Sequence, residues 1–253
     1  MAFESGYRKK IRDTLRYDGV LILFWKVLVK GLSPFCRLGM EILFEKDLTR
    51  PLKSRYARVD VLVGEATEAD VDQLVALEFG TPIDDETNLS DAEEFAEAVR
   101  AQMRAYFTEE YLDAFRRGDK CFIGKVGDEI VHKNWTRFQW AQPIPGCEFS
   151  LQTGEEVFTC DAFTPENWRG YGIHEFVNNE MLRSARQAGY RRAYTMTDIT
   201  KTGSRRGVLR VGWERCGKLL YLIPRGLGKT FIIRLGGSLG PLVRSLEQDK
   251  EGQ

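Results

Sequence analysis

The chain has 253 residues, enough for one large domain or for a medium domain with extensions. Apolar residues make up 43% and charged residues 29%, ordinary values for a soluble globular protein. Lys plus Arg and Asp plus Glu both number 37, so no basic excess points to a nucleic-acid partner. The charge is unevenly spread: residues 1–56 hold 12 basic and 6 acidic side chains, whereas residues 65–119 hold 4 and 16. Such asymmetry suits two surfaces with different partners. Five scattered cysteines without a CxxC pair read as reduced thiols of the cytosol. Two histidines, His132 and His174, are too few for a zinc site, and no metal is expected.

In chain order, Val20 to Lys30 comes first, apolar but for Lys26 and Lys30. No small-residue cleavage site follows it, so it is not read as a signal peptide. Its uncharged run is too short to span a bilayer, which needs about 20 apolar residues. Two readings stay open. Phe24 and Trp25 among aliphatics fit a helix lying in a membrane interface; the same helix also fits a place on the parent domain, with both lysines snorkelling. Ser33-Pro34 breaks the segment, and Arg37 to Phe44 resumes a helical pattern.

The globular part is expected to begin near Ala57. Val59, Val61 and Val63 alternate as in a strand. Thr67 to Asp70 reads as a capping box opening a helix through Leu77, and Ser90 to Glu93 as a second box opening another, with Phe95, Val99, Met103 and Phe107. Phe107 to Arg117 adds a short helix. Lys120–Val126 and Glu129–Trp135 flank Gly127-Asp128 as an antiparallel hairpin. Trp135, Phe138 and Trp140 fit either an apolar cleft or the core. A strand over Glu155–Phe163 and a helix over Ile173–Ala188, stopped by Gly189, come next. A strand over Arg192–Thr197, a helix over Ser204–Val211 and a strand over Lys218–Ile223 complete the pattern. Thr230 to Leu246 reads as an amphipathic helix. Gly228-Lys229-Thr230 is no phosphate loop, since Ile223 stands where that loop needs glycine.

The strand-to-helix junction Phe163-Thr164-Pro165-Glu166-Asn167-Trp168-Arg169-Gly170-Tyr171-Gly172-Ile173 is the stretch richest in chemistry. Free amides and a helix N-terminus meet there, a setting that favours an anion such as a diphosphate. Order and spacing resemble the acyl-CoA-binding motif of the GNAT superfamily of N-acyltransferases, Arg/Gln-x-x-Gly-x-Gly/Ala. Arg169 and Gly172 occupy its first and fourth positions, and His174 stands at the usually small sixth. Gly212-Trp213 stands where the family has Gly-Phe. The resemblance covers residues 57–224, with 1–56 as a hydrophobic, basic helical extension and 225–253 as an amphipathic tail.

That resemblance implies an α/β (α+β) GNAT fold: a mixed central sheet, with splayed parallel strands at 156–163 and 192–197, flanked by helices. It implies that acetyl-CoA or another acyl-CoA binds between those strands. Its diphosphate would rest on the amides of Arg169, Gly170, Tyr171, Gly172 and Ile173, the Arg169 guanidinium adding charge. Phe163, Thr164, His174 and Ser204 are further candidate contacts. The His174 ring can point outward, touch a phosphate or crowd the site; the first is favoured, because the helix needs only part of its circumference near the ligand.

Direct acyl transfer to an amine needs a carboxylate to take the amine's proton. Glu156, 13 residues before Arg169, stands where some members carry a catalytic glutamate, and Asp161 is the second choice. Strict alternation puts the two on opposite faces; a bulge, common at this strand in the family, changes that. The family's acid tyrosine falls on Val208, and its asparagine on Lys201; Tyr194 and Tyr221 lie elsewhere. The implied function is acyl-CoA-dependent N-acylation of a small-molecule or carrier-linked primary amine in the cytoplasm; the acidic stretch fits either attraction of that amine or a solvated helix face, and the extension fits either a peripheral place on the inner membrane or a place on the parent domain. The alternative is a non-catalytic acyl-CoA sensor or a membrane-associated assembly module on the same fold.

Overall fold

A computed structural model describes residues 20–80, 91–144, 147–227 and 229–237. Asp84-Asp85-Glu86, the capping Ser90, Gly228 and the tail beyond Gly237 lie outside the described residues. The fold is mixed α/β, with parallel and antiparallel strands flanked by helices. In chain order the elements are α1 (Val20–Leu32), β1 (Cys36–Asp47), β2 (Leu62–Glu65), α2 (Val71–Phe79), α3 (Asp91–Arg116), β3 (Lys120–Val126), β4 (Glu129–Arg137), β5 (Trp140–Ile144) and β6 (Cys147–Ser150). There follow β7 (Glu156–Phe163), α4 (Ile173–Gln187), β8 (Arg192–Asp198), α5 (Thr202–Val211), β9 (Glu214–Pro224) and β10 (Phe231–Arg234). The chain divides into two compact units. One holds Met1–Lys46, Trp140–Gln152 and Tyr194–Gln253, the other Asp47–Gln139 and Thr153–Ala193.

In the second unit the strands run in the order β2-β3-β4-β7, each antiparallel to its neighbour. Thr67 N–H donates to Asp70 Oδ2 at 2.9 Å, and this bond holds the Asp70 carboxyl below the usual carboxylate range. The box opens one 3-10 turn and then α2. Val71, Leu74 and Val75 of α2 share a core with Tyr111 and Ala114 of α3 and with Cys121, Ile123, Ile130 and Trp135 of the sheet. Trp135 therefore belongs to the core rather than to a cleft. Gly124, next to Ile123, points to the other face, where a Cβ would come 2.9 Å from Val177 of α4. The sheet is thus covered on both faces.

Three expected elements take another form, and the β5-β6 hairpin lies outside the sequence reading. α3 is one helix of 26 residues, not two, because nothing between Phe107 and Glu110 breaks it. Residues 37–44 are a strand, not a helix. Arg37 and Glu41 are four apart, which suits a helix, but Leu38, Met40 and Ile42 also alternate, and pairing with a neighbour settled the choice in favour of period two. Phe231–Arg234 is likewise a strand, paired with β9, where a helix was expected.

The first unit has the order β10-β9-β1-β8 and a separate β5-β6 hairpin. β1 sits between β8 and β9, so the stretch expected as an extension is an inner strand. Gly39 faces Tyr221, whose ring lies over it; a Cβ at Gly39 would be 2.2 Å from the ring's Cζ. Arg37 reaches over the same ring, 5.8 Å from its centre. Glu41 of β1 is half-buried beside Asp198. Burial, then the Asp198 carboxylate, push its pKa from the ordinary 4.5 to about 7, against the pull of Lys201 and Arg37.

The folded chain therefore holds a proton that the unfolded chain gives up at lower pH. The associated stability is whole below the unfolded value and is lost as pH rises through about 7. Glu41→Gln should leave urea-unfolding stability near its parent value in acid and raise it above pH 7 by up to about 3 kcal/mol. Equal effects at both pH values would refute the assignment.

Candidate functional site

Pairing with β4 decides where the β7 carboxylates point. Arg137 pairs with Phe158, Thr136 with Thr159 and Trp135 with Cys160, but the next pair is Lys133 with Phe163. β7 advances three residues while β4 advances two, which makes a bulge. Asp161 lies in it at φ 52°, the one positive φ outside glycine among the described residues. The extra residue turns Asp161 to the face of Cys160, whose thiol is hydrogen-bonded to it. Arg137 Nη2 lies 4.0 Å from Asp161 Oδ2 on that face. Phe158 shares the face of its partner Arg137, and by alternation so does Glu156. Both carboxylates therefore belong to the α2–α3 side. Exposure separates them: Glu156 is 2% exposed, and the Asp161 side chain 58%.

Beyond β7 the chain makes a 3-10 turn over Glu166–Trp168, then two glycines at positive φ, Gly170 at 88° and Gly172 at 79°. A Cβ at Gly170 would meet nothing within 4 Å, so this side of the turn is open. At Gly172 it would lie 3.2 Å from the Tyr56 carbonyl oxygen. Gly172 caps α4, its carbonyl accepting from Phe176 N–H at 3.0 Å. The amides of Ile173, His174 and Glu175 form the first helical turn and have no earlier turn to donate to. Partial positive charge collects at this point. An anionic group such as a diphosphate fits this open, donor-rich backbone.

Arg169 folds back over the turn. Its Nε donates to the Thr164 carbonyl at 2.9 Å, and its Nη1 lies 3.4 Å from Glu166 Oε1. Tyr171 packs edge-on to Trp168, with ring centres 6.1 Å apart. Arg58, a residue that sequence reasoning missed, donates its N–H to the Tyr171 carbonyl at 2.7 Å and is exposed beside the turn. No local pattern signals it, because the contact joins chain segments far apart in sequence.

Phe163 and Thr164 are half-buried. Thr164 Oγ1 is 2.7 Å from Nδ1 of the fully buried His132. His132 in turn packs edge-on to His174, with ring centres 5.3 Å apart. The His174 ring thus faces β4, where an outward direction was favoured. The cause is that α4 buries Asn178, Asn179 and Leu182 as well as Ile173, Val177 and Met181, a broad arc that takes in residue 174. Burial, then His174, hold the His132 pKa well below the usual histidine value. Burial lowers His174 too, against the pull of Glu175, so both rings are neutral at pH 7.

A charged cluster on the carboxylate face also escaped the sequence reading. Lys133 is 1% exposed; its Nζ lies 2.7 Å from Glu78 Oε2 and donates to the Tyr111 hydroxyl. That hydroxyl donates to Glu78 Oε2 at 3.2 Å. Burial, then Glu78 and Asp161, push the Tyr111 pKa up. The available signal was a lysine in mid-strand. Lys120, Lys125 and Arg137 of β3 and β4 likewise meet Glu65, Asp70 and Glu110, so these strands balance part of the acidic excess of 65–119. Ser204 is exposed on α5 of the other unit, which also holds Val208, Tyr194 and Tyr221, all buried. Among the described residues no group of three His, Cys, Asp or Glu is placed to hold a metal ion.

No family model and no curated protein matches the chain. Solved structures do resemble it. A functionally unknown conserved protein from Staphylococcus epidermidis is 15% identical over 78% of this chain and 66% of its own, with a TM-score of 0.47. A GNAT-family acetyltransferase from Colwellia psychrerythraea is 12% identical over 74% and 56%, with a TM-score of 0.49. A predicted acetyltransferase with acetyl-CoA from Clostridium acetobutylicum is 15% identical over 61% and 90%, at 0.42. The chain spans less than two thirds of the length of the first two. Of eight such structures, five are described as acetyltransferases, two of them of the GNAT family.

Truncating one partner of a buried ion pair strands the other charge, whereas an apolar replacement of the buried member does not. Glu78→Ala should therefore cost about 2–3 kcal/mol in urea unfolding, and Lys133→Met about 1 kcal/mol or less. The reverse order would show that Lys133 is hydrated rather than held by Glu78.

Proposed function

We propose that the chain is a GNAT-type acyltransferase that moves an acyl group, acetyl in the first instance, from acyl-CoA to a primary amine. The observation that carries this reading is the turn from Thr164 to Ile173: two glycines at positive φ, an open side at Gly170 and the first amides of α4 converging at one point. These donors suit the diphosphate of a coenzyme A thioester. Arg58, exposed and held to the turn by its backbone N–H on the Tyr171 carbonyl, is the cation we assign to the diphosphate, and Arg169 keeps the turn in shape through Thr164 and Glu166. Gly172 holds its left-handed cap where a side chain would press on Tyr56.

When bound, acyl-CoA supplies the activated thioester. The chain supplies a base and a binding surface. Asp161 is the exposed carboxylate, and the bulge places it on the α2–α3 side; it takes the proton the amine must lose. Glu156, buried on the same face, is the second candidate. The acceptor is a small-molecule or carrier-linked amine, and the carboxylates of this side attract its cationic form. Solvent protonates the leaving thiolate, since Val208 offers no phenol.

One observation favours a second reading, a non-catalytic acyl-CoA sensor: buried, apolar Val208 stands where the resemblance expects the acid tyrosine. Thiol release from acetyl-CoA in the presence of primary amines separates the two. Asp161→Asn should lower kcat by at least about a hundredfold while coenzyme A affinity holds in calorimetry. If Glu156→Gln alone abolishes turnover, the base is Glu156. Coenzyme A binding without turnover of any amine selects the sensor, and no heat with any coenzyme A derivative ends both readings. Arg58→Ala should raise KM for acetyl-CoA about tenfold with kcat retained, the mark of a lost charge-assisted contact.

A further inference from the structure

We propose that the first unit docks on an anionic lipid surface through α1 and the sheet face of β1, β9 and β10, independently of any acyl transfer. α1 is apolar all round apart from its two lysines. Ile22, Trp25, Val29 and Leu32 are half-buried, while Val20, Phe24, Val27 and Leu28, the other side of the helix, are exposed, Phe24 by 65%. A helix apolar on every side needs cover on every side. No described helix is long and apolar enough to cross a membrane, and a place in the interface suits the exposed apolar side of α1.

The strand register adds a second apolar surface. Leu38 pairs with Leu222, which pairs with Phe231; Met40 pairs with Leu220, which pairs with Ile233. Residues directly opposite share a face, so these six side chains form two parallel rows. None of the six is buried; Phe231 is 52% exposed and Ile233 56%. The helix and the rows meet at one end of the sheet. Cys36 opens β1 opposite Pro224, and Arg225 N–H donates to the Phe35 carbonyl at 2.9 Å. Exposed Phe35 and Leu227 lie at that end.

Charge selects the occupant. Val20–Leu32 carries Lys26 and Lys30, and the turn at 225–230 carries Arg225 and Lys229, with no acidic residue in either stretch; Arg37 and Arg234 lie on the other sheet face, with Tyr221 and Leu219. A second copy on this face would bring like charges together, which opposes association. Anionic headgroups draw the same cations, with a gain of about 1 kcal/mol for each Lys or Arg near the surface. Apolar side chains then enter the acyl boundary between the bound cations.

The test is flotation of the full chain with phosphatidylcholine vesicles, with and without phosphatidylglycerol. The parent should float only with the anionic vesicles and be released by salt. Phe24→Glu combined with Val27→Glu, and separately Ile233→Glu, should each lower the bound fraction at least about tenfold. All three positions are exposed, and circular dichroism verifies that each variant is folded. Parent-like flotation of both variants overturns the proposal, as does a parent that floats with neither vesicle. A parent dimer in ultracentrifugation that Phe24→Glu with Val27→Glu splits, without vesicle binding, assigns the face to a second copy instead.

Discussion

Strand β1 satisfies two neighbours at once. An unpaired strand edge leaves a row of amides and carbonyls in want of partners. β8 and β9 both meet β1, so the edges they would otherwise expose are closed by residues 36–47. The first unit depends on this insertion for its continuity. Side-chain choices follow from it: Gly39 is bare so that Tyr221 can lie across it, and Glu41 is driven into a half-buried position beside Asp198. The strand is structural and cannot be treated as a removable leader.

In the second unit, two departures from regular backbone shape the candidate site. One is the bulge at Asp161, which reverses the parity of β7 and gathers its carboxylates on one side. The other is the pair of left-handed glycines, which end the approach to α4 and leave its first amides free of side-chain caps. Both sit next to regular, well-covered elements. The glycines hold positive φ without strain, whereas Asp161 at φ 52° stores about 1–3 kcal/mol that the pairing of β7 with β4 holds in place. Beneath the turn, two uncharged imidazoles add polarity without adding charge, so the positive field at the N-terminus of α4 owes nothing to them.

Much of this was legible in the sequence where the signal is local. Glycines mark the turn, and the alternating runs on either side of Gly127 mark a hairpin, because both signals reside in a few neighbouring residues. The polar positions between Phe107 and Arg117 resemble a break and so hide the continuity of α3. The apolar spacing of 37–44 serves two periods, and only a partner strand distinguishes them. The Asp161 bulge is a property of two strands together, so its place cannot be counted from β7. The union of Lys133 with Glu78 and Tyr111 joins a strand to two helices and leaves no local trace beyond a lysine in mid-strand. Arg58 is hidden for the same reason.

Three residues, Ser33 to Phe35, separate α1 from β1. Fully extended they reach roughly 10 Å, so the helix has almost no slack relative to the strand that follows. A helix adsorbed on a plane would therefore set the tilt of the sheet to which it is tied. Such a link acts as a bracket rather than a leash: orientation, and not mere local concentration, is what it would impose.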